Sequence, residues 1–327
     1  MKKHTLPSSL IAIESKFETA DQKEKAMTHT LPSKLIHRYA IPIIFMAAGH
    51  ASAQTVITPM DSPEALAQSL VGPGIEISNV QYTGNSLSAG YFTGGYAPGN
   101  DIESGVILTS GKAEFAGNNQ NTAESTSFNA GGAGDNTLNS LIPNYRTYDA
   151  TVLSFDFISS GDSAFFNFSF ASEEYVEWVG SAYNDVFGFF VNGENVALIP
   201  NSNNAVSINS INNVSYPELF NDNSRKGGES PYAFEYDGFT DVFTAEITGL
   251  EPGEIYNIQL GVADAGDRIY DSAVFLQAGS FSEVAVAEAP SGAPEPRTAL
   301  MMVLAICCII LRVRVIPTTP EPQPFSA

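Results

Sequence analysis

From Phe165 to Val191 the chain reads FFNFSFASEEYVEWVGSAYNDVFGFFV, two strongly apolar runs around an acidic, aromatic centre. In the first run Phe166, Phe168 and Phe170 alternate with Asn167, Ser169 and Ala171. Period two of this kind predicts a strand with one face turned to a core. The second run places Phe187, Phe189 and Val191 on one face and predicts a second strand. Similar runs occur at 75–82, 105–109, 151–158, 195–199, 241–247, 255–263 and 272–278. Leu153, Phe155 and Phe157 share one face, as do Tyr256, Ile258, Leu260 and Val262.

Helical signals are few. Asp61-Ser62-Pro63-Glu64 supplies a capping side chain, a first-turn proline and an acid at the positive end of the helix dipole. Leu66 and Leu70 fall on one face, and Gly72-Pro73-Gly74 ends the helix. No long helical period follows Val71. Many short strands bounded by Gly, Asn and Pro predict an all-β fold, an antiparallel two-sheet sandwich of jelly-roll type with one short N-terminal helix. Two loops are long: 112–145, rich in Gly and Asn, and 200–231, with an asparagine run before Arg225 and Lys226.

The ends read differently. Lys34, His37 and Arg38, the apolar stretch Tyr39–Gly49 and Ala51-Ser52-Ala53 have the order of a secretory signal, so 1–53 is expected to be an extension and signal peptide. HTLPSSLI at His4 recurs as HTLPSKLI at His29, and Met27 is a plausible start. At the other end a linker over 282–293 leads to Pro294-Glu295-Pro296, an apolar run Thr298–Leu311 and Arg312 and Arg314, with a tail over 315–327. Fourteen apolar residues span about 21 Å as a helix, short for a stable membrane span, and the arginines suit the cytoplasmic side. The segment 294–314 resembles the PEP-CTERM sorting signal of exopolysaccharide-producing Gram-negative bacteria. That resemblance implies an exosortase-type processing enzyme as a partner and an initial anchor in the inner membrane. The tail beyond the arginines departs from the pattern.

Composition narrows the chemistry. All four histidines precede residue 54, and both cysteines, Cys307 and Cys308, lie in the last apolar run. The domain between them has no imidazole and no thiol, which excludes Ser-His-Asp and Cys-His catalysis and zinc sites built on those ligands. Of 36 acids only Glu14, Glu18, Asp21, Glu24 and Glu321 lie outside 54–296. Of 15 bases only Lys112, Arg146, Arg225, Lys226 and Arg268 lie inside, so the segment carries about −26. Nucleic acid and anionic bilayers are poor partners for such a surface, and membrane contact is expected only through the C-terminal segment.

What remains is oxygen ligands and aromatic rings. Glu173, Glu174, Asn184 and Asp185 crowd the loop between the two central strands, and Asp264, Asp267 and Asp271 crowd the turn between the last two. Carboxylates and amides in this number suit calcium, which takes six to eight oxygens, and Asp135 is a further candidate; acids that simply cap turns are the plainer reading. Tyr175, Trp178 and Tyr183 flank the acids as exposed rings suited to binding sugars, with packing against the sandwich edge as the alternative for Trp178.

A family resemblance covers Thr58 to Phe281. It is carried by GPGIEISNVQYTG at Gly72, SGVILTSGK at Ser104, GDNTLNSL at Gly134, YDATVLSFDF at Tyr148 and FSFASEEYVEWVG at Phe168. NDVFGFFVNG at Asn184, YDGFTDVFTA at Tyr236 and LGVADAGDRIYDSAVFLQAGSF at Leu260 continue it. These blocks resemble the choice-of-anchor L domain, an exported bacterial module, with 54–281 as the domain. The resemblance implies surface display and brings no settled activity. The expectation is an exported, non-enzymatic binding or structural protein that associates with extracellular polysaccharide or matrix, its loops stabilised by calcium. The alternatives are a carbohydrate-active hydrolase using Glu173 or Glu174 with an Asp of the 264–271 turn, and a surface coat component without a small ligand.

Overall fold

The computed structural model describes residues 55–94, 102–117, 120–123, 125–225, 230–232 and 235–286. In chain order its elements are β1 (Val56–Pro59), α1 (Pro63–Leu70), β2 (Ile75–Thr83), β3 (Ala89–Thr93), β4 (Ser104–Thr109), α2 (Asn136–Leu141), β5 (Thr147–Ser159) and β6 (Ser163–Ser172). They continue with β7 (Val186–Val191), β8 (Glu194–Asn195), β9 (Val206–Ser207), β10 (Phe220–Asp222), β11 (Gly238–Thr240), β12 (Phe243–Thr248), β13 (Ile255–Ala265) and β14 (Ser272–Gln277). The expected signal peptide and sorting segment lie outside the described residues. Among the described residues no helix is long and apolar enough to cross a membrane.

The strands form two antiparallel sheets, as the alternation predicts. One has the order β1-β3-β4-β14-β6-β11-β10, with β12 also on β6; the other runs β2-β5-β13-β7-β8, with β9 on β7. Most neighbours in each sheet are distant in sequence, although β3–β4, β7–β8 and β10–β11 pair consecutive strands.

The phenylalanine faces meet between the sheets. Phe166 of β6 contacts Phe189 of β7 at 5.1 Å between ring centroids, and Phe168 contacts Phe187 at 5.0 Å. Phe281 reaches Phe157 and Phe166 from the chain following β14. Each of these rings is fully buried, worth about 1.5–3 kcal/mol apiece in transfer energy. Helix α1 adds Leu66, Ala67 and Leu70 to the same core, with Ser62 accepting from the Ala65 amide as its cap.

Both sheets are covered on the outside as well, which the sequence pattern alone does not reveal. Ile107, Ala171, Phe239, Ala273 and Phe275 form a second apolar cluster on the far face of the first sheet, with Tyr236 among them. Leu138 and Ile142, in and just after α2, cover Val152, Val186, Phe190 and Ala263 on the far face of the second. Part of the long loop 112–145 is therefore a lid on an apolar surface. Helix α2 was not anticipated. The Asp135 side chain accepts from the Thr137 and Leu138 amides at 2.8 and 2.9 Å, so it caps this helix. Of the run expected as a strand at 195–199, Asn195 belongs to the two-residue β8 and Leu198 forms a single antiparallel bridge to Ala205.

Candidate functional site

The ends of five strands converge on one acidic region. Register places Ser172, which closes β6, opposite Ser272, which opens β14. The end of β13 lies against the starts of β5 and β7, with Asp264 paired to Tyr148 and Ala263 to Val186. The residues just beyond these ends carry the acids. Eight carboxylic residues are buried there: Asp149, Glu173, Glu174, Asp185, Glu235, Asp237, Asp264 and Asp271. Among the described residues no lysine or arginine is buried.

The expected ligands divide by how well they are already satisfied. Asp185 accepts from the Ala265 amide at 2.8 Å and from the Ser272 hydroxyl at 2.6 Å. Asn184 accepts from the Asn209 amide and donates its own amide to the Ala265 carbonyl, so it braces the loop. Asp267 is only partly buried and accepts from the Ile269 amide. Glu173, Glu174 and Asp264 are different. They are 1%, 0% and 0% exposed, and no well-aligned hydrogen bond meets their oxygens. Among the described residues only the Thr126 amide approaches Glu173, only the Ser110 hydroxyl and Asp185 approach Asp264, and Glu174 has no donor at all. Asp271 accepts from the Phe128 amide at 2.8 Å through Oδ2, while Oδ1 has no partner. Gly111 permits this placement, because a Cβ there would overlap the Asp271 carboxylate.

Burying carboxylates without partners disfavours their charged form. Burial lifts Glu174 to about 10, helped by Asp185, Asp267 and Glu177. Burial also drives Glu173 well above the usual carboxylate range, with Asp237, Glu235 and Asp271 adding to the shift. Asp264 is raised by burial and then by Asp185 and Asp271. Asp185 and Asp271 both stand at about 8, again chiefly through burial. Besides a proton or an ordered water, a cation can satisfy such oxygens.

Three of the buried acids went unremarked in the sequence: Asp149, Glu235 and Asp237. Asp149 is paired with Arg268, whose Nη1 donates to Oδ1 at 2.7 Å and to the Gly132 carbonyl at 2.6 Å. Glu235 accepts from the Thr122 hydroxyl at 2.8 Å and the Thr126 hydroxyl at 2.6 Å, and so holds the 122–126 segment. A signal for two of them was present. The dipeptide Tyr-Asp occurs at 148–149, 236–237 and 270–271, and the aspartate of each is buried in this region.

The aromatic residues separate too. Tyr175, expected at the surface, is fully buried: its hydroxyl donates to the Ile211 carbonyl at 2.8 Å and its ring packs 4.7 Å from Phe220. Its neighbours Val176 and Val179 lean on the core and fix the loop. Trp178 and Tyr183 remain half-exposed and meet edge to face at 5.2 Å, joined by Tyr270 at 6.0 Å. Beside this loop lies an open groove of about 710 Å3 that includes Asn184, Asn204, Ser207 and Asn209 in its lining. A smaller cavity of about 330 Å3 is lined by Asp135, Asp149 and the 130–134 turn.

Glu173 and Glu174 follow one another where the backbone leaves β6, yet different acids act on them. Neither glutamate lines either cavity. Among the described residues no three carboxylate, imidazole or thiol side chains converge as a ready metal cage.

Comparison with known proteins gives one finding. No curated protein and no solved structure is significantly similar to the chain. Residues 55–282, which span both sheets and the whole acidic region, match the model of a family described as the choice-of-anchor L domain. The family is one of non-catalytic, surface-associated domains. The chain belongs to the choice-of-anchor L family.

Proposed function

We propose that the domain is an exported binding or structural module that adheres to extracellular polysaccharide or matrix, with calcium rigidifying its acidic loops. The observation that supports this reading best is the 173–185 loop. Its buried Glu174 has no partner for either oxygen, while its Trp178–Tyr183 edge stands at the surface. Calcium suits the first feature, because extracellular modules bind it with carboxylates, backbone carbonyls and water at millimolar to submillimolar affinity. Sugar rings suit the second, since aromatic edges and faces pack against their C–H surfaces while amides and hydroxyls take the polar rim. The neighbouring groove supplies such amides and hydroxyls from Asn204, Ser207 and Asn209. Display at the surface through an inner-membrane anchor at 294–314, with trimming by an exosortase-type enzyme, completes the proposal.

Retention of the full chain on polysaccharide from the host's matrix tests the sugar-binding part. Trp178→Ala is expected to weaken retention roughly tenfold, the equivalent of about 1.4 kcal/mol for one lost aromatic contact, and to leave the melting temperature nearly unchanged. Equal retention by both proteins would rule Trp178 out as a binding residue.

A further inference from the structure

We infer that the buried acids form two separate divalent-cation sites, one anchored by Glu173 and the other by Glu174. This deepens the calcium reading above and rests on it.

Separation starts at the backbone. Past Ser172 the strand gives way to turns, and the two consecutive carboxylates enter different neighbourhoods. Glu173 is joined to Asp271 through its amide, which donates to the Asp271 carbonyl at 3.1 Å. Burial raises the pKa of the Glu173 carboxyl, and the charges of Asp237, Glu235 and Asp271 add to that rise. These acids lie where β14 begins, under the 121–128 segment that Glu235 and Asp271 hold by hydrogen bonds. The Glu174 amide donates to the Ser172 hydroxyl, which is joined through Ser272 to Asp185 where β7 begins, and the charges of Asp185, Asp267 and Glu177 act on the Glu174 carboxyl.

Each neighbourhood contains fully buried oxygens that lack a well-aligned donor. Glu173 brings two and Asp271 Oδ1 a third, with only the Thr126 amide near Glu173. Glu174 brings two with no donor among the described residues, and Asp264 two more with only the Ser110 hydroxyl and Asp185 near them. One ion does not gather all of them. The Glu173–Asp271 main-chain bond continues the register of β6 and β14, which sets these two residues on the outer face with Ala171 and Ala273. Ser172 and Ser272 point the other way, and the Ser272 hydroxyl bonds both Ser172 and Asp185. A calcium ion in each needs only two or three of these oxygens, with main-chain carbonyls and water filling its shell. Such ions would tie different parts of the fold. The first would clamp the 121–128 segment onto β14, and the second would clamp the 173–185 loop onto the end of β13. The sites are close neighbours, since Asp264 feels both Asp185 and Asp271.

Equilibrium dialysis of the full chain against calcium at pH 7.5 counts the ions. Two per chain are expected. Glu173→Gln should remove one, Glu174→Gln should remove the other, and each variant should keep the remaining ion within about tenfold of its original affinity. If either variant melts without a cooperative transition, Asp271→Asn or Asp264→Asn replaces it, and the wild-type count needs no variant. A single ion per chain, or two that any one substitution abolishes together, would overturn the two-site inference and leave calcium binding in place. No bound calcium at all would overturn both.

Discussion

Freed of metal, the protein is expected to lose stability steadily as the pH rises from about 5 to about 8, and calcium to restore it. The folded chain holds Asp185 and Asp271 at about 8, against roughly 3.9 for an aspartate in an unfolded chain. Between those values the folded state binds more protons than the unfolded state, so stability falls with rising pH. The loss is complete above the folded-state values, and Glu174, at about 10, extends the window upward. On the proposed reading, calcium at neutral pH takes the place of the missing protons as counter-charge. Two sites at about 100-fold their dissociation constants contribute roughly 2.7 kcal/mol each, and each kcal/mol moves the melting temperature by about 2–4 °C in a domain of this size. Thermal melts of metal-stripped protein should therefore show a lower midpoint at pH 7.5 than at pH 5. Calcium at that excess, roughly 10–100 mM for the affinities given above, should raise the midpoint at pH 7.5 by roughly 10–20 °C. Midpoints that do not move with pH or calcium would contradict the expectation.

Replacing Arg268 by methionine is expected to destabilise the fold by roughly 1–3 kcal/mol, the usual cost of leaving a buried group without its partner, since Asp149 is buried while Arg268 is part-exposed. Asp149 is 3% exposed, and the guanidinium that neutralises it also binds the Gly132 carbonyl and lies 4.7 Å from the Tyr148 ring centre. Methionine retains much of the stem's packing but none of the charge. Adding Asp149→Asn to Arg268→Met should recover much of the loss, because the amide oxygen can still accept from the Gly132 amide while no charge is left unpaired. Urea denaturation of the two variants measures both effects. Equal stability of Arg268→Met and the parent would show that the pair contributes little.

Much of this fold is legible in the sequence because its strands alternate strictly where they meet the inner core. Phe166, Phe168 and Phe170 against Phe187 and Phe189 specify both sheets and the face each presents. The outer faces are harder to read. Asn167 and Ser169 look solvent-facing, yet Asn167 bonds Gln277 and Ser169 bonds the Thr240 carbonyl in buried surroundings. Helix α2 escaped because six residues cannot establish a helical period, although its cap, Asp135, stood in plain view. The acid cluster was half visible. Local crowding reveals Glu173, Glu174 and Asp185, whereas Asp149 and Glu235 join them only through long-range strand pairing. Tyr175 misled for a similar reason: an aromatic residue among acids reads as exposed until the distant Ile211 and Phe220 are seen to cover it.

Hydrogen exchange with and without calcium at pH 7.5 tests most directly whether the acidic ends are cation-clamped loops. The account predicts that calcium slows amide exchange selectively in 121–128, 173–185 and 264–272, while the centres of β5, β6 and β13 exchange as slowly in either condition. Unchanged exchange in those three segments would contradict it.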